Sequence, residues 1–244
     1  MHLIKIVRSN LETTIMDTTK ILQQAESLTT DEEKLMLLAG FIGDNMDNLE
    51  PTDFIQLLTP LQDITRRRYE ENPILDTLSD YMVALIKLAE NYIRDERGWL
   101  ATPLLTKAED LLSEQPDTDE NAQWKCQSYS DIGECYSMND RRIYAMKAYR
   151  QALKYATSED DKENCEYCLG RLEKPTLKYD PVEDTEAYLA VIDEVERRLY
   201  EELKDEPRGM GFCFIYWPAK EALLAEYGIE WHSPSLMNPG VIFD

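Results

Sequence analysis

Glycine is scarce, nine in 244 residues, and the alternation of β-branched and polar residues that marks strands is almost absent. The 11 prolines fall between periodic segments. A sheet-rich fold is thereby disfavoured and an all-helical one expected. Positive charge is short as well: 26 Lys and Arg stand against 48 Asp and Glu, a formal net charge of −22. Phosphate backbones and anionic lipid both need a basic footprint, so no nucleic acid and no membrane are expected among the partners. Apolar stretches such as Phe212 to Trp217 fall far short of the roughly 20 residues of a membrane-spanning helix. Lys5 interrupts the N-terminal apolar run and no small-residue cleavage site follows, so the protein is read as cytoplasmic. Five cysteines, an odd number, fit reduced thiols in such a compartment.

Catalytic and ligand-binding signatures are missing too. The only histidines are His2 and His232, too few for a His-rich metal site. Gly209-Met210-Gly211 lacks the third glycine and the strand–helix context of a dinucleotide loop. Neither His-Glu-x-x-His nor Gly-x-Ser-x-Gly occurs. No cofactor is expected.

What is present is a string of amphipathic segments. Thr30-Asp31-Glu32-Glu33 forms a capping box, and Asp117 and Asp180 open similar ones with aspartate as the cap. Asn72-Pro73 and Glu50-Pro51 open two more segments. These signals predict helices near 14–27, 31–47, 51–68, 73–94, 97–113, 119–138, 140–156, 160–173, 181–204 and 218–227. Short connections between them imply antiparallel neighbours. Helical periodicity begins after Met16, which would serve as a start as well as Met1, and residues 1–15 read as a dispensable extension.

Self-similarity appears at two places. Leu85, Leu88, Ala89, Tyr92, Ala101, Leu105 and Ala108 match Tyr129, Ile132, Gly133, Tyr136, Ala145, Tyr149 and Ala152 in spacing, one for one. Small residues let two helices of a hairpin approach, while large ones three and four apart fill the seam. Each hairpin leaves an apolar face that a neighbour must cover.

This pattern resembles the tetratricopeptide repeat family, with units at 82–115 and 126–159. Both units lack the family's usual proline near the end of the second helix, where Ser113 and Thr157 stand. They lie 44 residues apart rather than the family's 34, which reads as an insertion of about ten residues in the first unit. The resemblance implies an α-solenoid of antiparallel helix hairpins over 16–173. A linker at 174–181 and a capping helix with an aromatic-rich tail over 182–244 would complete it. It further implies a groove lined by Val83, Ile86, Glu90 and Ile93 in one unit and by Gln127, Ser130, Glu134 and Ser137 in the other. The basic residues with which one subset of the family holds chaperone tails are absent at Ile86/Glu90 and Ser130/Glu134, so that ligand is not expected. The expected function is a non-enzymatic protein–protein interaction module whose partner is a protein or peptide, basic or neutral rather than acidic. Its oligomeric state is not legible.

The tail is expected to be ordered and packed back on the helices, either as a structural plug or as a lid, with Trp217, Trp231 and His232 as its candidate site residues. Two other readings stay open. An enzyme or metal-binding protein would use His232 with tail carboxylates such as Glu230 and Asp244, or the Cys165/Cys168 pair with Cys126 and Cys135. An acidic inhibitor of a basic toxin or nuclease would be a narrower form of the interaction module.

Overall fold

The computed structural model describes residues 18–243, so the expected extension 1–15 and the alternative start at Met16 lie outside the described residues. Every regular element among the described residues is helical. The helices are α1 (Thr18–Ser27), α2 (Asp31–Asn45), α3 (Pro51–Glu71), α4 (Leu75–Arg94), α5 (Ala101–Ser113) and α6 (Asp119–Met138). There follow α7 (Arg142–Tyr155), α8 (Glu159–Glu173), α9 (Glu186–Leu189), α10 (Ile192–Leu203), α11 (Cys213–Glu226) and α12 (Pro234–Met237). The chain forms two compact units that divide inside α4, between Ala84 and Leu85.

In the first unit α1, α2 and α3 pack on one another around Ile21, Leu38, Phe41, Leu57, Leu58 and Ile64. The expected Thr30–Glu33 box opens α2: the Thr30 hydroxyl accepts from the Glu33 N–H, and the Glu33 carboxylate takes the Thr30 N–H. Arg67 on α3 forks both ways to Asp31 at 2.9 Å, adding an anion at the positive end of α2 and a cation to answer it. Pro60 sits inside α3, against the expectation that prolines separate the helices. Asn72-Pro73 does not open α4. Asn72 instead closes α3, its N–H donating to the Arg68 carbonyl, and helix resumes at Leu75.

The second unit carries both copies of the seven-position pattern. All four pattern alanines, Ala101, Ala108, Ala145 and Ala152, are completely buried. At Gly133 the reason for a small residue is direct: a Cβ there would lie 3.0 Å from the ring of Tyr149, its counterpart on the second helix. The likeness extends beyond the side chains into the turns. Glu96 (φ 59°) and Asp140 (φ 53°) both adopt the left-handed conformation just past α4 and α6. In each turn the next residue closes the loop: Arg97 N–H donates to the Tyr92 carbonyl at 2.8 Å, and Arg141 N–H to the Tyr136 carbonyl at 2.9 Å.

The spacing of the units has a different origin from the expected insertion. Helices α2, α4 and α6 begin at residues 31, 75 and 119, each 44 residues after the last. Helices α4 and α6 are both 20 residues long. Each starts ahead of residues 82 and 126, so both units carry the extra length in the first helix. Asp117 is not the cap of α6 either. Thr118 takes that place, and Asp117 instead receives the buried Lys125 ammonium at 2.7 Å together with Lys154 and the Tyr155 hydroxyl.

The expected helix over 181–204 is broken. Asp180 caps a 3₁₀ turn over Pro181–Asp184, and Thr185, extended at ψ 148°, caps the four-residue α9 with its hydroxyl. A threonine that bonds its own neighbours competes with helix continuation, and that competition restarts the chain here. Helix α11 begins at Cys213 rather than at Pro218, which lies within it. Gly228 (φ 74°) ends it in the left-handed position, as its place in the sequence implies. Residues of α9, α10, α11 and the chain end then make one apolar core: Tyr188, Ile192, Val195, Leu199, Leu203, Leu223, Leu224, Ile229 and Trp231.

A simple cap on the last hairpin is not what α10 forms. It lies on the turn at Gly98–Leu100, where Trp99 meets Tyr200 with ring centroids 5.1 Å apart, and it also grips the turn after α6.

Candidate functional site

The grip on the second turn comes from Arg141, whose side chain is 1% exposed. Its guanidinium donates to Glu196 at 2.7 and 3.2 Å, to Asp193 at 2.7 Å and to the Asn139 carbonyl at 2.9 Å. Asn139 in turn donates to the Gly98 carbonyl at 3.1 Å. A Cβ on Gly98 would stand 1.8 Å from the Asn139 Oδ1, so any larger residue there displaces the Asn139 amide from this contact between the two turns. Around these anchors the turns, α10 and residues 208–216 enclose a cleft of about 470 Å³. Ile93, Met138, Leu199, Phe212 and Tyr216 give it apolar walls, and Glu96, Asp140, Glu196 and Arg208 its charge. Arg208 is occupied by Glu96 at 3.2 Å and by the face of Phe212 at 4.1 Å. Crowding by protein pushes the Asp140 carboxyl above its ordinary value, with Lys220 acting the other way.

The residues expected to line a groove divide into open and covered ones. Val83, which belongs to the first unit, is 58% exposed. In the second unit Ile86 is buried, and the Cys135 thiol lies 4.0 Å from its carbonyl oxygen. Glu90 is clasped by Lys87 at 2.8 Å and Arg94 at 2.5 Å, which occupy one of its oxygens each. Ile93 belongs to the cleft. On α6, Gln127, Glu134 and Ser137 are exposed, Gln127 donating to Asp131 at 2.8 Å. Ser130 is half-buried, 3.7 Å from the Cys165 sulfur.

The tail candidates have structural partners. Trp231 is buried and donates its indole N–H to Glu183 at 2.6 Å. Trp217 packs edge-on to Phe214 and Phe243. Lys220 is buried among the rings of Tyr188, Tyr216 and Trp231, 5.1 to 6.0 Å from their centroids. His232 does not rely on a tail carboxylate. Its ring Nδ1 lies 2.8 Å from Asp180 Oδ2, and the same oxygen accepts its backbone N–H at 2.7 Å, while Glu230 stands 3.8 Å away. Asp244 lies outside the described residues.

That pair sets a pH dependence. The Asp180 hydrogen bond raises the His232 imidazole above 6.5, with burial opposing. Burial acts to raise Asp180, but the hydrogen bonds from Val182 and His232 outweigh it and lower the carboxyl. The raised imidazole contributes stability that is complete below 6.5 and lost as pH rises through its folded value. The lowered carboxyl contributes above its ordinary 3.8, and that part is lost as pH falls. The tail is therefore held best between the two. NMR titration should find His232 above 6.5, and Asp180→Asn should bring it back toward that value.

Cys126, Cys135 and Cys165 are core residues, while Cys168 and Cys213 are half-buried. Burial pushes Cys126 up to about 11 and Cys135 up to about 12, and it raises Cys165 as well. These three thiols are protonated at neutral pH and poor metal ligands in that form. Among the described residues no group of three or more His, Cys, Asp or Glu side chains is placed to hold a metal ion. No helix among them is long and apolar enough to cross a membrane.

The seven aligned positions do not reveal the cleft, because Glu96 and Asp140 sit in turns beyond them and Glu196 comes from α10. Four residues past Tyr92 and Tyr136 the same register pairs Glu96 with Asp140, two acidic residues with no glycine to mark a turn. No known protein family, no curated protein and no solved structure matches this chain.

Proposed function

We propose that the protein is a non-enzymatic interaction module, an α-solenoid similar to tetratricopeptide repeat proteins, that binds a basic or neutral peptide segment along its first-helix faces. The observation that carries this reading is the open side of α6, where Gln127, Glu134 and Ser137 meet solvent while Cys126, Tyr129, Ile132 and Tyr136 are buried on the other. A helix packed on one side and left open, polar and acidic on the other suits a ligand of opposite charge. With Glu90 already held by Lys87 and Arg94, Glu134 is the main carboxylate on offer. The even 44-residue spacing of α2, α4 and α6 and the twin turns support the repeat architecture. An inhibitor of a basic toxin or nuclease is a special case of the same reading.

The test is an array of basic, neutral and acidic peptides probed with the full chain at two salt concentrations. Basic and neutral peptides should be retained, the basic ones more weakly at high salt. Glu134→Lys should turn the preference toward acidic peptides. Retention of acidic peptides alone, or of none, overturns the reading.

A further inference from the structure

We propose that the cleft between the two turns, α10 and residues 208–216 is a second docking site, which receives a lysine or arginine side chain from an apolar, basic helix of a partner protein. Its chemistry is half apolar and half anionic. Of its charged residues, Glu196 is spent on the buried Arg141, and Glu96 and Arg208 satisfy each other. The Asp140 carboxylate alone makes neither a hydrogen bond nor an ion pair among the described residues, its backbone N–H donating to the Ser137 carbonyl, and it opens onto the cleft beside Met138 and Phe212. A volume of about 470 Å³ accommodates one long side chain together with part of its backbone.

An independent observation lies just outside. Met210 is 91% exposed, Phe214 64%, Ile215 45% and Ile242 92%. Phe214 and Trp217, and Trp217 and Phe243, meet edge to face with centroids 6.4 and 5.3 Å apart, so these three rings form one cluster, half-buried at Trp217 and Phe243 and exposed at Phe214, while Ile215 follows Phe214 in the chain and Phe212 and Cys213 line the cleft. A cluster of this kind at the surface calls for an apolar partner. The net charge of −22 selects among partners: a second copy brings the same repulsive charge, and an anionic membrane is repelled, whereas a basic helix is attracted. The ligand's cation would meet Asp140 while its apolar residues rest on Phe214 and Ile215. Of the expected groove residues only Ile93 lines this cleft, so the site is separable from the open side of α6.

The probe is a fluorescein-labelled amphipathic peptide of leucine and lysine only, followed by anisotropy with the full chain. Two control peptides replace every lysine by glutamate or every leucine by serine. Asp140→Asn keeps a residue that accepts the left-handed backbone and should weaken binding roughly three- to tenfold. The pair Phe214→Ser with Ile215→Ser, both at the surface, should weaken it more than about tenfold. Neither control peptide should bind. Saturating peptide should slow alkylation of Cys213 by iodoacetamide, read by mass spectrometry, because Cys213 lines the cleft.

Unchanged alkylation of Cys213 at saturation overturns the proposal. So does Glu134→Lys abolishing binding while Asp140→Asn leaves it intact, a result that would place the ligand on α6. Capture on phosphatidylcholine vesicles, or a concentration-dependent dimer, that disappears in the Phe214→Ser, Ile215→Ser variant would assign the exposed cluster to a lipid surface or a second copy and also sink the proposal.

Discussion

Arg141→Met should lower the unfolding free energy by about 3 kcal/mol, measured by urea denaturation, because removing one partner of a buried ion pair strands the other. The guanidinium, 1% exposed, is shared by Asp193 and Glu196, whose side chains are 34% and 16% exposed. Part of the loss is returned as those carboxylates regain water, which keeps the figure at the lower end of the range for such changes. Methionine supplies similar bulk and isolates the polar contribution. Hydrogen exchange should then show α10 losing protection before α6 and α7 do, since Asp193 and Glu196 are its points of attachment to the turn. Equal loss of protection in all three helices would mean that the ion pairs act on the core and not on the docking of α10.

Gly133→Leu should cost about 3 kcal/mol, at the upper end of overpacking penalties, because the space where its side chain must go is filled by the ring of Tyr149. Alanine at this position is a finer probe. It gains roughly 1 kcal/mol of helix propensity over glycine. Against that gain stands a contact 3.0 Å from ring atoms that are themselves buried. Tyr149→Ala alone should be destabilising by an amount typical of large-to-small core changes. Combined with Gly133→Leu it should cost less than the sum of the two, since each change relieves the fault of the other. Additive costs in this double-mutant cycle would show that the two residues do not share the crossing.

The helices were legible wherever periodicity and capping residues agreed, as at Thr30 and in the paired pattern from Leu85 to Ala152. Small residues at a close crossing leave a direct trace in the sequence, and the buried alanines followed from it. Three features left none. Glu96 and Asp140 occupy backbone positions that usually call for glycine, so the twin turns carried no composition signal. Thr185 caps a new turn inside a stripe that reads as one continuous helix from 181 to 204. Arg141 and Lys125 look like surface residues in any linear reading, yet both are buried, because their partners come from distant or irregular segments: α10 for one, the Gln115 and Asp117 loop for the other. Of the residues expected to line a groove on α6, Gln127, Glu134 and Ser137 are exposed and Ser130 is half-buried, while the clasp of Lys87 and Arg94 on Glu90 depends on which rotamers the neighbours adopt.

A linear array of helical hairpins ordinarily frays from its ends, each module melting on its own terms because it touches only its neighbours. Helix α10 changes that rule for the second unit by acting as a strap buckled to two successive bends, at Trp99 through Tyr200 and at Arg141 through Asp193 and Glu196. Peeling away one bend loosens the hold on the other. The hairpins it joins should therefore come apart as a single cooperative block, and a chain truncated before residue 192 should melt in steps.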